Sequence, residues 1–450
     1  MRSRSSTSTP TWVWLVGAFA VLIIWQGAFR KWWLPALETP LYVMKDVVLV
    51  GAILLYGARY GFHLAKPLRH TMLPILWGGL GFIAALQMFN FQFPSLLGSM
   101  MGLRSYMLYT SLLILLPPIM ERIQNPKKFL TWVVMLGILP VLVLGYYQYG
   151  QPVDAWINRY VAEDANVVGV SGRPRITGTF SYIGGMGSFL SFSVFFAIGV
   201  FLAGLKYQDR WYTWLGGIFL AAALVVAPMN GSRSVVMGIL VPLPFVLYTV
   251  FQGKRGISVF VLTALLALGG NYAINQSEWA TQGWETVGQR IEGGQESGEQ
   301  EARFRSIIRD PVEKIGVSGL LGYGTGGTNN AAVALAGYSV NPGVGSEGEM
   351  GRVIIELGTI GGLFFFLLKA WLAWTAWQAL TRARTAWTTL LSITVFSNLF
   401  LTLISGMIVF NHIAGSLYWI CAGIAVWLWS RQEVCIQSLR HSSRTTHPHG

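Results

Sequence analysis

Residues 13–29 read VWLVGAFAVLIIWQGAF, a run without one charge, and Arg30-Lys31 follow at once. An α-helix rises about 1.5 Å per residue, so about 20 apolar residues cross the hydrocarbon of a bilayer. Arg2 and Arg4 precede the run, as in a signal peptide, but no small-residue cleavage site closes it. The run therefore reads as a retained first membrane helix. Further runs of this kind lie near 41–58, 72–90, 103–120, 129–149, 181–204, 212–229, 234–252, 257–275, 352–372, 388–410 and 412–430. Each is expected to be helical, because an unpaired backbone group in lipid costs several kcal/mol. The expected fold class is an all-α polytopic membrane protein with about twelve transmembrane helices. Helices 1–9 fall within 1–275, a large periplasmic loop within 276–351, helices 10–12 within 352–430, and a basic cytoplasmic tail within 431–450.

Composition agrees. Of 450 residues, 53% are hydrophobic and 11% charged, where soluble domains carry about 25% charged residues. A soluble chain this apolar would expose large sticky patches. The 19 Trp, 17 Tyr and 25 Phe suit aromatic belts at two interfaces. The net charge of +13 would suggest nucleic acid in a soluble protein. Here the cations fall in alternate short connections: Arg59, Lys66 and Arg69; Arg122, Lys127 and Lys128; Lys206 and Arg210; Lys254 and Arg255; Arg382 and Arg384. The positive-inside rule then puts these loops and both termini in the cytoplasm.

The opposite side has two long connections, about 150–180 and 276–351. In the second, Glu292 to Lys314 carries Phe304, Ile307 and Ile308 at helical spacing and reads as a helix along the membrane surface. Gly316 to Gly327 follows as a glycine-rich loop whose backbone can come close to a ligand. It lacks the Gly-Lys-Ser/Thr ending of a nucleotide-phosphate loop. Cys421 and Cys435 make no disulfide framework, and the histidines show no metal-ligand spacing, so neither metal nor cofactor is expected.

Candidate chemistry lies in cations that break the positive-inside rule. Arg173 and Arg175 stand in SGRPRITGTF, Arg233 in NGSRS, Arg352 in SEGEMGRVIIELG and Arg104 in GLRSYMLY. Guanidinium groups clamp phosphate or pyrophosphate bidentately, so the set points to a lipid-linked pyrophosphate. Each arginine taken singly has a plainer reading, a carboxylate or a lipid headgroup as partner. Glu347 and Glu349 precede Arg352, and either can serve as general base on a sugar hydroxyl. A structural ion pair is the alternative for Glu349. Glu356 stands at i+4 from Arg352, where a salt bridge on one helix face competes with a functional role. Lys45 and Asp46 read as a mutual or interhelical pair or as a contact to the pyrophosphate. Arg104, Lys45 and Glu356 are thus candidates for supporting roles.

The motifs GAFRKWWLP, GLRSYMLY, RITGTFSYIGGMGSFL, NGSRS, GYGTGG and EGEMGRVIIELGTIGGLFFFL, in that order over roughly residues 20–372, resemble the O-antigen ligase and polysaccharide polymerase superfamily. The resemblance implies a GT-C-like architecture in the bacterial inner membrane. It also implies a metal-independent, inverting glycosyltransferase acting at the outer face on polyprenyl-pyrophosphate-linked oligosaccharides. Family arginines that hold the pyrophosphate match Arg175 and Arg233, with Arg352 a looser match. The ligase branch is associated with a loop histidine where this chain has GSEGEMGR, which favours the repeat-unit polymerase branch of exopolysaccharide or O-antigen synthesis. Implied partners are the lipid-linked oligosaccharide, membrane lipid and other polysaccharide-assembly proteins, not nucleic acid. The alternatives are a ligase acting on another acceptor, a transporter or flippase of small or lipid-linked substrates, and a non-catalytic scaffold.

Overall fold

The computed structural model describes residues 9–64, 66–161, 169–170, 172–251, 299–337, 346 and 348–445. The side chains of 66, 169, 170, 233, 234, 237, 299–308 and 434–445 lie outside that description. Among the described residues, nine helices are long and apolar enough to cross a membrane. They are α1 (Thr11–Trp33), α2 (Pro35–Tyr60), α4 (Leu96–Met120), α5 (Pro126–Tyr149), α6 (Ile183–Tyr207), α7 (Arg210–Asn230), α12 (Glu349–Thr381), α13 (Ala386–Ile404) and α14 (His412–Thr445). Two further expected runs form shorter apolar helices: α3 (Leu73–Phe89), and the pair α8 (Arg233–Leu240) and α9 (Leu243–Val250). The run 257–275 lies outside the described residues. A short antiparallel pair, β1 (Gly169–Val170) and β2 (Arg173–Pro174), leads into α6.

Helix ends leave backbone N–H groups without ladder partners, and short polar side chains satisfy several of them. Ser95 Oγ accepts from Gly98 N (3.1 Å) before α4, and Asn125 Oδ1 from Lys128 N (3.0 Å) before α5. Asp209 caps α7 through Trp211 N (3.0 Å), and Asn411 caps α14 through Ile413 N (3.0 Å). Between helices, small residues allow backbones to meet, as expected where lipid removes the hydrophobic drive for association. A Cβ at Gly204 would come 2.4 Å from Thr213 N, and one at Gly216 2.4 Å from Phe201 N.

Polar contacts sort the helix ends onto two faces. On one, Lys127 pairs with Asp209 (2.7 Å), Arg382 with Glu433 (2.5 Å), and Trp427 Nε1 donates to Glu121 (2.6 Å). This face gathers the basic short loops. On the other, the end of α1, the start of α2, the segment before α6, the α7–α8 turn and the α13–α14 turn meet.

One expected span differs in form. The run 352–372 is not one straight crossing. Gly358, at φ 71° and ψ −177°, breaks α12, and Lys369 Nζ lies 2.8 Å from Glu349 Oε2. Twenty residues of straight helix would hold those groups about 30 Å apart. The half-helix 349–357 therefore folds back along the stretch after Gly358, with Ile354 facing Gly362 and Leu357 facing Gly361. Of the helix expected over Glu292 to Lys314, the part from Glu299 on belongs to α10 (Glu299–Ser318), and 292–298 lie outside the described residues; the short α11 (Asn330–Ala336) follows the glycine-rich loop. Asp310 on α10 accepts from Ser346 Oγ (2.5 Å), beside the start of the half-helix.

The glycine-rich loop also differs from its expected role. Its N–H groups are spent on the protein: Tyr323 N on Ile355 O (2.8 Å), Gly324 N on Glu356 O (3.0 Å) and Thr325 N on Gln87 O (3.2 Å). At Gly326 (φ 93°) the chain packs on Gly102, where a Cβ would come 2.5 Å from Gly326 N. The loop is a wedge between α3, α4 and the half-helix, not a free backbone strand.

Candidate functional site

The site is built on the face opposite the basic loops. Arg175 follows β2, and its Nε donates to Asn230 O (3.0 Å) while its stem lies on Gly231. Gly231 has φ 65° and closes the turn between α7 and α8. Asn230 is fully buried and returns two bonds, to Ile176 O (2.9 Å) and Ile183 O (3.2 Å). The RPRIT and NGSRS motifs are thereby stitched together. Arg233 opens α8 three residues past Asn230; its side chain lies outside the description. Arg173 sits in β2, one strand residue before Pro174, and is half-buried.

The segment after Arg175 is fixed from the end of α1. Lys31 Nζ donates to Thr177 Oγ1 (3.0 Å) and Gly178 O (2.6 Å), and Arg30 Nη1 to Ser181 Oγ (3.0 Å). Gln148 at the end of α5 takes Gly178 N (2.7 Å). Thr177, Thr179 and Phe180 are at most 1% exposed, so the run is a wall, not a strand free to move.

Arg352 lies on the folded-back half-helix. It donates to Thr328 O, stands over the Phe410 ring at 3.9 Å and reaches Met407. It forms no ion pair among the described residues. The salt bridge with Glu356 that i+4 spacing suggests does not form. Glu356, fully buried, accepts instead from Tyr106 OH (2.9 Å), Thr328 N (2.8 Å) and Thr328 Oγ1 (2.7 Å). Thr328 is wedged between the two side chains and serves both, which is why they do not meet.

Glu349 is also buried and both its oxygens are taken: Oε2 by Lys369 (2.8 Å) and Oε1 by Val409 N (2.9 Å). Of its two expected readings, the geometry is that of the ion pair. Glu347 lies outside the described residues.

A second group of cations gathers around Tyr42 on α2. Lys45 Nζ lies 4.3 Å, Arg104 5.1 Å and Arg30 5.2 Å from its ring, and His412 meets it edge-on at 5.2 Å. Lys45 and Asp46 form the expected pair (3.4 Å), and Asp46 also bonds Arg104 and Tyr109 OH (2.9 Å). Arg30 pairs with the half-exposed Glu38 (2.7 Å). Arg30, Lys31 and His412 were not among the residues singled out from the sequence. Arg30 and Lys31 looked like ordinary flanks of an apolar run, and His412 like the start of one. The readable signal was two cations on the side where the positive-inside rule expects none.

No family model matches the chain, and no curated protein matches it.

Proposed function

We propose that the chain is a repeat-unit polymerase of the inner membrane, a glycosyltransferase joining polyprenyl-pyrophosphate-linked oligosaccharides at the outer face. The observation that carries this reading is Arg175 held against the α7–α8 turn that leads into Arg233, with Arg352 on the same face making no ion pair among the described residues. An anion that approaches meets the Arg175 and Arg352 guanidinium groups already fixed by backbone carbonyls. In this reading twelve spans cross the bilayer, with 257–275, α3 and the α8–α9 pair completing the nine long helices, and both termini are cytoplasmic.

In the reaction, an acceptor hydroxyl oxygen bonds the donor's anomeric carbon while the bond from that carbon to the phosphate oxygen breaks. The polyprenyl pyrophosphate leaves with the electron pair, and the anomeric centre inverts. Charge grows on the leaving group, so fixed cations facing it lower the barrier. Arg175, Arg233 and Arg352, with Arg173 beside them, fill that role. Glu349, saturated by Lys369 and Val409, holds the half-helix in place. Glu347 remains the carboxylate to orient and deprotonate the acceptor hydroxyl.

The test is Arg175→Ala and Arg233→Ala, each supplied with purified lipid-linked repeat units, with protein level checked by blotting. Each is expected to slow ladder formation by about 10²–10³-fold, the range for loss of one preorganised charge-stabilising donor. Full-length ladders at the wild-type rate from both variants would sink the proposal.

A further inference from the structure

Among the described residues, the cations around Tyr42 are short of counter-charge. Arg30 and Lys45 are at most 8% exposed, and the Arg104 side chain is 15% exposed. Against these three stand the buried Asp46 and the half-exposed Glu38. Asp46 is divided between Lys45 and Arg104. The Nε atoms of Arg30 and Arg104 are buried without a hydrogen-bond partner among the described residues. Lys31 finds one hydroxyl and one carbonyl, and no carboxylate among the described residues. A buried cation without a counter-ion is costly, and interfacial snorkelling does not explain cations packed among α1, α2, α4 and α14. Tyr42, Arg104 and His412 are only half-buried, so the group has an open side.

This group is distinct from the one at Arg175. Arg175 turns to the α7–α8 side. The buried run from Ile176 to Phe180 leads from it to Ser181, where Arg30 takes over. Resting on the polymerase reading above, chemistry supplies a reason for two groups. Joining repeat units needs two lipid pyrophosphates at once, one on the donor and one on the acceptor, whereas transfer to a lipid without pyrophosphate needs one. The acceptor's pyrophosphate changes no bond in the step and demands only steady neutralisation, which a fixed, desolvated cluster with surplus positive charge provides.

We infer that Arg30, Lys45, Arg104 and His412, arranged about Tyr42, form a second phosphate site that holds the acceptor's lipid pyrophosphate.

The experiment counts polyprenyl pyrophosphate without sugar bound to the full chain in phosphatidylcholine nanodiscs, by native mass spectrometry. Two per chain are expected for the wild type, one for Arg104→Gln and one for Arg175→Gln, with at least tenfold weaker binding at the altered site. Excess phosphatidylglycerol should displace neither. Arg104→Gln leaves Asp46 paired with Lys45, so no buried carboxylate is stranded. If it yields no folded protein, Lys45→Gln leaves Asp46 with Arg104 and reads the same site. One lipid per wild-type chain, lost in Arg175→Gln alone, would overturn the second site and leave the polymerase reading standing. Displacement by phosphatidylglycerol from the Arg104-dependent site would overturn it too, making that site one for phospholipid headgroups. No bound polyprenyl pyrophosphate, or binding insensitive to Arg175→Gln, would sink both.

Discussion

Asp46 carries a heavy electrostatic burden for one side chain. It is 4% exposed, and it bonds Arg104, Lys45 and the Tyr109 hydroxyl. Removing one partner of a buried ion pair costs about 3–5 kcal/mol, because the remaining charge stays buried and uncompensated. Asp46→Asn leaves two cations in that state. Arg104→Gln leaves none, since Asp46 keeps Lys45. The two variants should therefore part company in a thermal melt: a drop of about 3–5 kcal/mol in stability for Asp46→Asn and a small change for Arg104→Gln. Equal melting temperatures would mean that Asp46 does not balance the cluster. The adjacency of Lys45 and Asp46 was plain in the sequence, and their pairing was one of the two readings it allowed. The attachment of Arg104 was not, because nothing in residues 96–120 says which neighbouring helix its side chain meets.

At the scale of an element, α12 departs most from its sequence. Hydropathy reports how well residues suit lipid, not the direction the chain takes through it, so a helix folded on itself reads like a straight span. The fold-back depends on Gly358, where φ is 71° and a Cβ would lie 2.2 Å from Leu320 O. It also depends on the clasp between Glu349 and Lys369 (2.8 Å). Lys369→Met alone should cost about 3–5 kcal/mol, as an unpaired buried carboxylate does. The double variant with Glu349→Gln and Lys369→Met removes both charges and should recover most of that loss, since replacing a buried pair whole is often neutral. Melting curves and ladder formation measured together settle the role of Glu349. The expected result is a double variant that folds and polymerises. One that melts like wild type yet makes no polymer would return Glu349 to the candidate bases. Glycine spacing gave no warning of the break, because Gly358 is one of 52 glycines and its strain arises from Leu320, far off in the chain.

Across the whole molecule, the apolar runs were legible because lipid imposes a length. The run expected near 129–149 is α5 at Pro126–Tyr149, and the one near 41–58 is α2 at Pro35–Tyr60. The run near 388–410 stops earlier, at Ile404, because the α13–α14 turn carries Val409 and Phe410 to Glu349 and Arg352. Apolar residues there serve the site and not the lipid. The arginines drew notice for the opposite reason, since charge at the membrane face opposite the basic loops needs a partner. All of this turns on which face looks outward, and that can be measured. Asp154 and Phe91 are exposed in connections on the face of the arginine groups, and Arg384 is exposed between α12 and α13 on the face of the basic loops. In a background with Cys421→Ala and Cys435→Ser, single replacements Asp154→Cys, Phe91→Cys and Arg384→Cys should divide cleanly. A membrane-impermeant maleimide added to cells with the outer membrane opened should label the first two. It should label the third only after the inner membrane is breached. Labelling of Arg384→Cys in intact inner membranes, with Asp154→Cys protected, would turn the arginines toward the cytosol. A lipid pyrophosphate presented from the outer leaflet would then have no cations to meet.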